Sequence, residues 1–198
     1  RVLSESDVAD FRDRLCEAAE RLFAQHGPDA VTMRQLASEL GVSPMTPYRY
    51  FKDKEDILAA VRANGFNRFA EALETAYASG SDARARSSAV GEAYMNFAFE
   101  HPHTYKLMFD LNQPLEENYP DLVAAARRAM ETQTQYVKTL VAEGVLAGDP
   151  DEIGRLFWAA AHGAVGLELA DKIPPGSARA LHRTLTHALA RGLRPGAA

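Results

Sequence analysis

Between residues 31 and 54 the chain reads VTMRQLASELGVSPMTPYRYFKDK, two short helical stretches broken at Gly41-Val42-Ser43. Thr32 is placed to cap a first helix in which Met33, Leu36, Ala37 and Leu40 recur at helical spacing. Gly41 can supply the left-handed backbone that ends it. Ser43-Pro44 then offers a cap and a first-turn proline for the next helix. That second stretch is aromatic and cationic, with Tyr48, Arg49, Tyr50 and Phe51 followed by Lys52 and Lys54. Hydroxyls, aromatic edges and cations on a short helix suit phosphates and base edges in a major groove.

The remaining segments read as helix as well. Period-2 alternation is absent, and Ala, Leu, Glu and Arg dominate the long stretches. The spacing predicts an all-α chain of about nine helices. Outside residues 31–54 these run over residues 6–25, 53–77, 82–100, 104–111, 121–146, 149–172 and 177–191. His101-Pro102 should end or bend one helix, and Asp149-Pro150-Asp151-Glu152 is a strong start for another. The longest stretch without a periodic pattern is 112–120. The expected division is a helix-turn-helix domain over 1–57 and a larger helical domain over 58–198.

Composition narrows the function. With 198 residues, 46% hydrophobic and 25% charged, the chain suits one large domain or two small ones. The single cysteine, Cys16, excludes an internal disulfide and is read as core filler, which fits a reducing, cytoplasmic setting. No apolar run reaches membrane-spanning length, and the first residues show no signal pattern. The chain opens on Arg rather than Met, so further residues are expected upstream, where a basic arm could lie. No nucleophile–base spacing, metal cluster or glycine-rich phosphate loop is present, so neither an enzyme nor a cofactor is expected. His101 and His103, two apart around a proline, read as exposed imidazoles at a helix break rather than as zinc ligands.

The net charge of −5 argues against indiscriminate nucleic-acid binding. Residues 1–55 carry eight Lys/Arg against ten Asp/Glu. Only residues 32–54, with four cations against Glu39 and Asp53, reach a local +2. This acidity leaves open an alternative, a helix-turn-helix that serves as a protein-interaction adaptor without DNA.

With these elements placed, the chain resembles TetR-family transcriptional regulators. The resemblance over residues 10–58 rests on Ala19 through Phe23, Gly27, Thr32, Leu36-Ala37, Leu40-Gly41-Val42-Ser43, Tyr48-Arg49-Tyr50-Phe51 and Lys54. More loosely, Trp158 through Gly163 with Glu100 through Phe109 resembles the C-terminal subgroup with a Trp-His-Gly signature. The resemblance implies a homodimer that binds a double-stranded DNA operator and responds to a small-molecule effector. By motif position, Arg34, Pro44, Met45, Thr46, Tyr48 and Tyr50 would approach bases or sugar-phosphate, with Tyr48, Lys54 and Thr32 as phosphate contacts and Arg49 beside them. One position departs from the family. Pro47 stands where an aliphatic residue is usual, which removes an amide donor and disfavours helical geometry at Thr46. Either the helix starts at Ser43 and loses a first-turn bond, or Thr46 becomes the cap of a shorter helix that begins at Pro47.

An effector pocket, mostly apolar with a few polar anchors, is expected from Tyr94, Phe97, Tyr105, Met108 and Phe109 together with Gln133, Thr134, Trp158 and His162. The polar run 132–136 on one helix needs hydrogen-bonding partners or a partly polar cavity. Simple core packing is the rival account of the aromatics, as is a bonded core histidine for His162. The small-residue run 159–164 with Gly166, together with Leu181, Leu185 and Leu189, is the expected dimer face.

Overall fold

The computed structural model describes residues 4–109 and 116–196. Among these residues it contains eight α-helices, two three-residue 3-10 turns and no strand. The helices are α1 (Glu5–His26), α2 (Met33–Glu39), α3 (Lys54–Ser79), α4 (Ala83–Glu100), α5 (Pro102–Phe109), α6 (Pro120–Ala142), α7 (Pro150–Leu169) and α8 (Ala178–Gly192). The 3-10 turns are Pro47–Arg49 and Glu116–Asn118. The expected ninth helix is the first of these turns. The expected loop at 112–120 lies outside the described residues as far as 115.

Helix starts follow from local chemistry. Ser4 with Asp7, and Thr32 with Gln35, close reciprocal capping boxes on α1 and α2. The Asp82 and Asp149 carboxylates accept the Ala85 and Glu152 amides at the heads of α4 and α7. α4 ends with His101 as its cap and α5 opens on Pro102, the break that the sequence predicts there. The end of α6 differs, at Ala142 rather than near residue 146. Gly144 turns left-handed there (φ 70°), and the Val145 amide bonds back to the Leu140 carbonyl.

The described residues fall into two compact units. The first holds the chain up to Phe66 together with His103–Ala126, and the second holds Asn67–Pro102 with Arg127 onward. The expected boundary at 57/58 lies inside the unbroken α3. In the first unit, Leu15, Phe23, Leu36, Phe51, Ile57 and Leu107 belong to one buried core. Cys16 is buried in it, and burial pushes its thiol up to about 12, as suits an inert filler. Arg62, only 4% exposed, donates to the Met108 carbonyl at the end of α5 and pairs with Glu116. A buried guanidinium needs such partners.

In the second unit Phe69 meets Tyr94 and Phe97 edge-on, with ring centroids 5.2 and 5.1 Å away. α7 and α8 pack against each other. α8 lacks a side-chain cap of its own. Instead Glu168, near the end of α7, accepts the Gly176 and Ala178 amides, both at 2.7 Å.

Candidate nucleic-acid interface

The segment between α2 and α3 is shaped by two bonds and one missing donor. After α2 the Val42 amide bonds to the Ala37 carbonyl while Gly41 sits at φ 66°, where a side chain would be strained. The Thr46 amide then takes the Ser43 carbonyl at 2.8 Å, and Pro47, lacking an N–H, cannot continue that bonding. A new turn opens at Pro47, closed by the Arg49 amide on Thr46 and the Tyr50 and Phe51 amides on Pro47. Of the two outcomes open to Pro47 in the sequence, the shorter is found. Thr46 stands at the cap position and the helical part is a 3-10 turn. Thr46 keeps right-handed helical angles (φ −64°, ψ −45°) that the following proline disfavours, so surrounding packing holds it there.

This turn has a buried back and an exposed front. Pro47 and Phe51 face the core. Met45 is 67% exposed and Tyr48 48% exposed. Pro44 and Arg49 are exposed beside them, and Thr46 is half-buried. Arg34 on α2 is also exposed, and neither Arg34 nor Arg49 makes an ion pair among the described residues.

The other expected contacts have internal work as well. Thr32 has its hydroxyl in the α2 capping box, 2.9 Å from the Gln35 side-chain oxygen. The Tyr50 ring stacks on Phe11 at 4.3 Å, which leaves it half-buried. The Lys54 ammonium donates to the Pro28 carbonyl at 2.7 Å and the Asp29 carbonyl at 3.3 Å, tying down the loop after α1.

Arg12 is the residue that sequence reasoning missed. Its guanidinium lies 4.0 Å from the Phe51 ring centroid and donates to the Tyr50 carbonyl, so α1 closes the end of the turn. No short-range pattern could reveal a contact across 38 residues. Arg12→Ala is expected to lower the stability of the first unit by about 1.5–3 kcal/mol, the range for a hydrogen bond from a charged donor. Arg12→Lys should recover only part, since an ammonium cannot stack flat on Phe51. Urea denaturation checks this, and unchanged midpoints in both variants would remove Arg12 from the account.

The nine expected effector contacts divide between the units. Tyr105 and Met108 are buried in the first, where the Phe109 ring meets Phe66 edge-on at 5.4 Å. The second carries Tyr94, Phe97, Gln133, Thr134, Trp158 and His162. Gln133 is buried, and Trp158 and His162 are half-buried with rings 6.1 Å apart. Burial holds the His162 imidazole below its ordinary range, favouring the neutral form. Thr134 turns its hydroxyl onto the Met130 and Glu131 carbonyls and its methyl toward Gly154.

A helix-turn-helix in one helical unit, with a second helical unit in the same chain, defines a two-part helix-turn-helix protein. The family model for bacterial regulatory proteins of the tetR family matches residues 15–61, and that for the tetracyclin repressor-like C-terminal domain matches residues 87–191. The chain belongs to the TetR family. A Rhodococcus sp. RHA1 protein of unknown function is 30% identical, with 93% of this chain and 95% of that chain covered at a TM-score of 0.81. The TetR-family regulator PfmR of Thermus thermophilus shares the fold at 24% identity and a TM-score of 0.69, covering 92% of this chain and all of that one. An HTH-type transcriptional regulator of Staphylococcus aureus is 38% identical over 63 residues, which is 32% of this chain and 34% of that protein's length.

Proposed function

We propose that this protein is a sequence-specific DNA-binding transcriptional regulator, a repressor that leaves its operator when a small, largely apolar effector binds the helical domain. The observation that carries the reading is the turn at Pro47–Arg49. Its back is anchored by Pro47 and Phe51 while Met45, Tyr48 and Arg49 project to solvent beside Arg34. Exposed aromatic and cationic groups on a rigidly backed turn are suited to a groove and its phosphates. Thr32, Pro44, Thr46, Tyr50 and Lys54 complete the proposed contact set.

The functional unit in this reading is a homodimer, formed through α7 and α8. Leu156, Leu167 and Leu185 are exposed there. Gly163 and Gly166 lie on the same stripe of α7, and a side chain at either would meet nothing within 4 Å. The small residues are therefore unused within the chain and free to admit a second copy closely. Two recognition turns would then enter successive major grooves about 34–36 Å apart. An effector acts by binding one dimer spacing better than the other. Tyr94, Phe97, Tyr105, Met108, Phe109, Gln133, Thr134, Trp158 and His162 are the contacts proposed for it, with the Trp158–Gly163 segment following the Trp-His-Gly subgroup. No described helix is long and apolar enough to cross a membrane, and the proposed location is the cytoplasm.

Selection of bound sites from a random duplex pool tests this reading. Ligand-free protein should enrich near-palindromic sites, and its affinity for any duplex should fall steeply with salt. An adaptor would bind no duplex at any salt concentration, and that result would replace this reading.

A further inference from the structure

The second unit contains a cavity of about 320 Å³ that none of the nine proposed effector contacts lines. Its walls come from α4, α6, α7, α8 and the turn after α6. The floor is apolar, formed by Tyr136, Leu140, Val145, Leu146 and Phe157. Three arginines, Arg84, Arg183 and Arg194, line it as well, against one carboxylate, Glu92. Glu92 is already paired with Arg179 at 3.2 Å.

Like Arg34 and Arg49, Arg84, Arg183 and Arg194 make no ion pair among the described residues. In a chain of net charge −5, three such guanidiniums around one opening form a local excess of positive charge. Two further polar groups face the same space. Tyr136 is 8% exposed and its hydroxyl makes no hydrogen bond among the described residues. The His182 imidazole lies against Gly91, where a side chain would come within 3.2 Å of its ring, and it too has no hydrogen-bond partner among them. Burial lowers the affinity of His182 for a proton, so the ring is favoured in its neutral form and can donate or accept.

We propose that this cavity binds an amphipathic organic anion, with its anionic head at the three arginines and the apolar body on the Tyr136–Leu140–Phe157 floor. Size sets the body. The cavity is about twice the roughly 150 Å³ that accepts a benzene ring, so two fused rings or a chain of about ten carbons fills it. Guanidiniums supply paired donors to a carboxylate, and Tyr136 or His182 can supply a further bond at the floor. This site is distinct from the nine effector contacts proposed above, and anion binding in it does not rest on the regulator reading.

The probe is 2-naphthoate, titrated calorimetrically into the full chain without DNA. Its neutral counterpart 2-naphthylmethanol and the dianionic 2-naphthyl phosphate serve as controls. Naphthoate should bind at least tenfold more tightly than the alcohol, and the phosphate should bind as well, since guanidiniums pair with either anion. The exposed pair Arg84→Gln/Arg183→Gln, checked by circular dichroism for unchanged helix content, should lose tenfold or more in naphthoate affinity and nothing for the alcohol. Equal binding of acid and alcohol, an unaffected double variant, or no naphthoate binding at millimolar concentration would each overturn the proposal. Duplex binding is measured in parallel on the same preparation. A protein that binds DNA but not naphthoate refutes the cavity site alone, and one that binds naphthoate but no duplex refutes the regulator reading alone.

Discussion

Tyr48→Ala is expected to weaken duplex binding by tenfold or more at fixed salt while leaving thermal stability almost unchanged. Tyr48 is 48% exposed, so its ring contributes little to the core, and substitutions of that kind usually shift stability by no more than about 0.5 kcal/mol. In the proposed interface its hydroxyl would donate to a phosphate, and a hydrogen bond to a charged group is worth about 1.5–3 kcal/mol. At about 1.4 kcal/mol per factor of ten, even one such contact gives the expected loss, and a dimer would lose two. Lys54→Ala separates the two kinds of residue. Its ammonium already holds the Pro28 and Asp29 carbonyls, so this variant should lose stability as well as affinity. Fluorescence anisotropy on a labelled site from the random pool, beside thermal melts, reads both quantities. If both variants bind as the parent does, the phosphate assignments are wrong.

Gly154→Val should destabilise the second unit by about 1–3 kcal/mol, the range for overpacking a filled core. Glycine inside a helix is ordinarily a weakness, and replacing it with another residue usually helps. At Gly154 the sign reverses, because an added Cβ would stand 2.5 Å from the Thr134 methyl and 3.2 Å from its Cβ. Thr134 cannot swing away cheaply, since its hydroxyl bonds to the Met130 and Glu131 carbonyls, both at 3.2 Å. The clash therefore separates α6 from α7 or forces Thr134 off its rotamer. Thr134→Ala in the same chain should restore part of the loss, with a coupling energy of about 0.5–3 kcal/mol by double-mutant cycle. Additive effects would show that the two helices do not meet at this pair.

What could be read in advance follows the range of each interaction. Thr32 with Gln35, Asp82 with Ala85 and Asp149 with Glu152 span three residues, so each cap was visible as a residue type at a fixed offset. The same holds for Gly41 and for the break at His101-Pro102. At Pro47 local chemistry stopped at two alternatives. The structure holds the shorter turn, with Pro47 buried against the core. The expected effector set shows the limit in another way. Aromatics at helical spacing identify a buried face but not what covers it, and Phe69 lies against Tyr94 and Phe97.

The linear chain alone determined an all-helical protein, where most of its helices begin and end, and a cation-bearing segment after Gly41. Those features are signalled by residues within four or five positions of one another, caps, breaks and the apolar period among them. The tertiary structure alone decided that Arg12 closes the Pro47–Arg49 turn, that Glu168 caps α8, and that Lys54 holds the loop after α1. It likewise decided that three arginines surround one cavity. Each of these depends on helices packing at one particular distance and rotation, and a residue's own neighbours in sequence carry no record of which distant group that packing will bring to it.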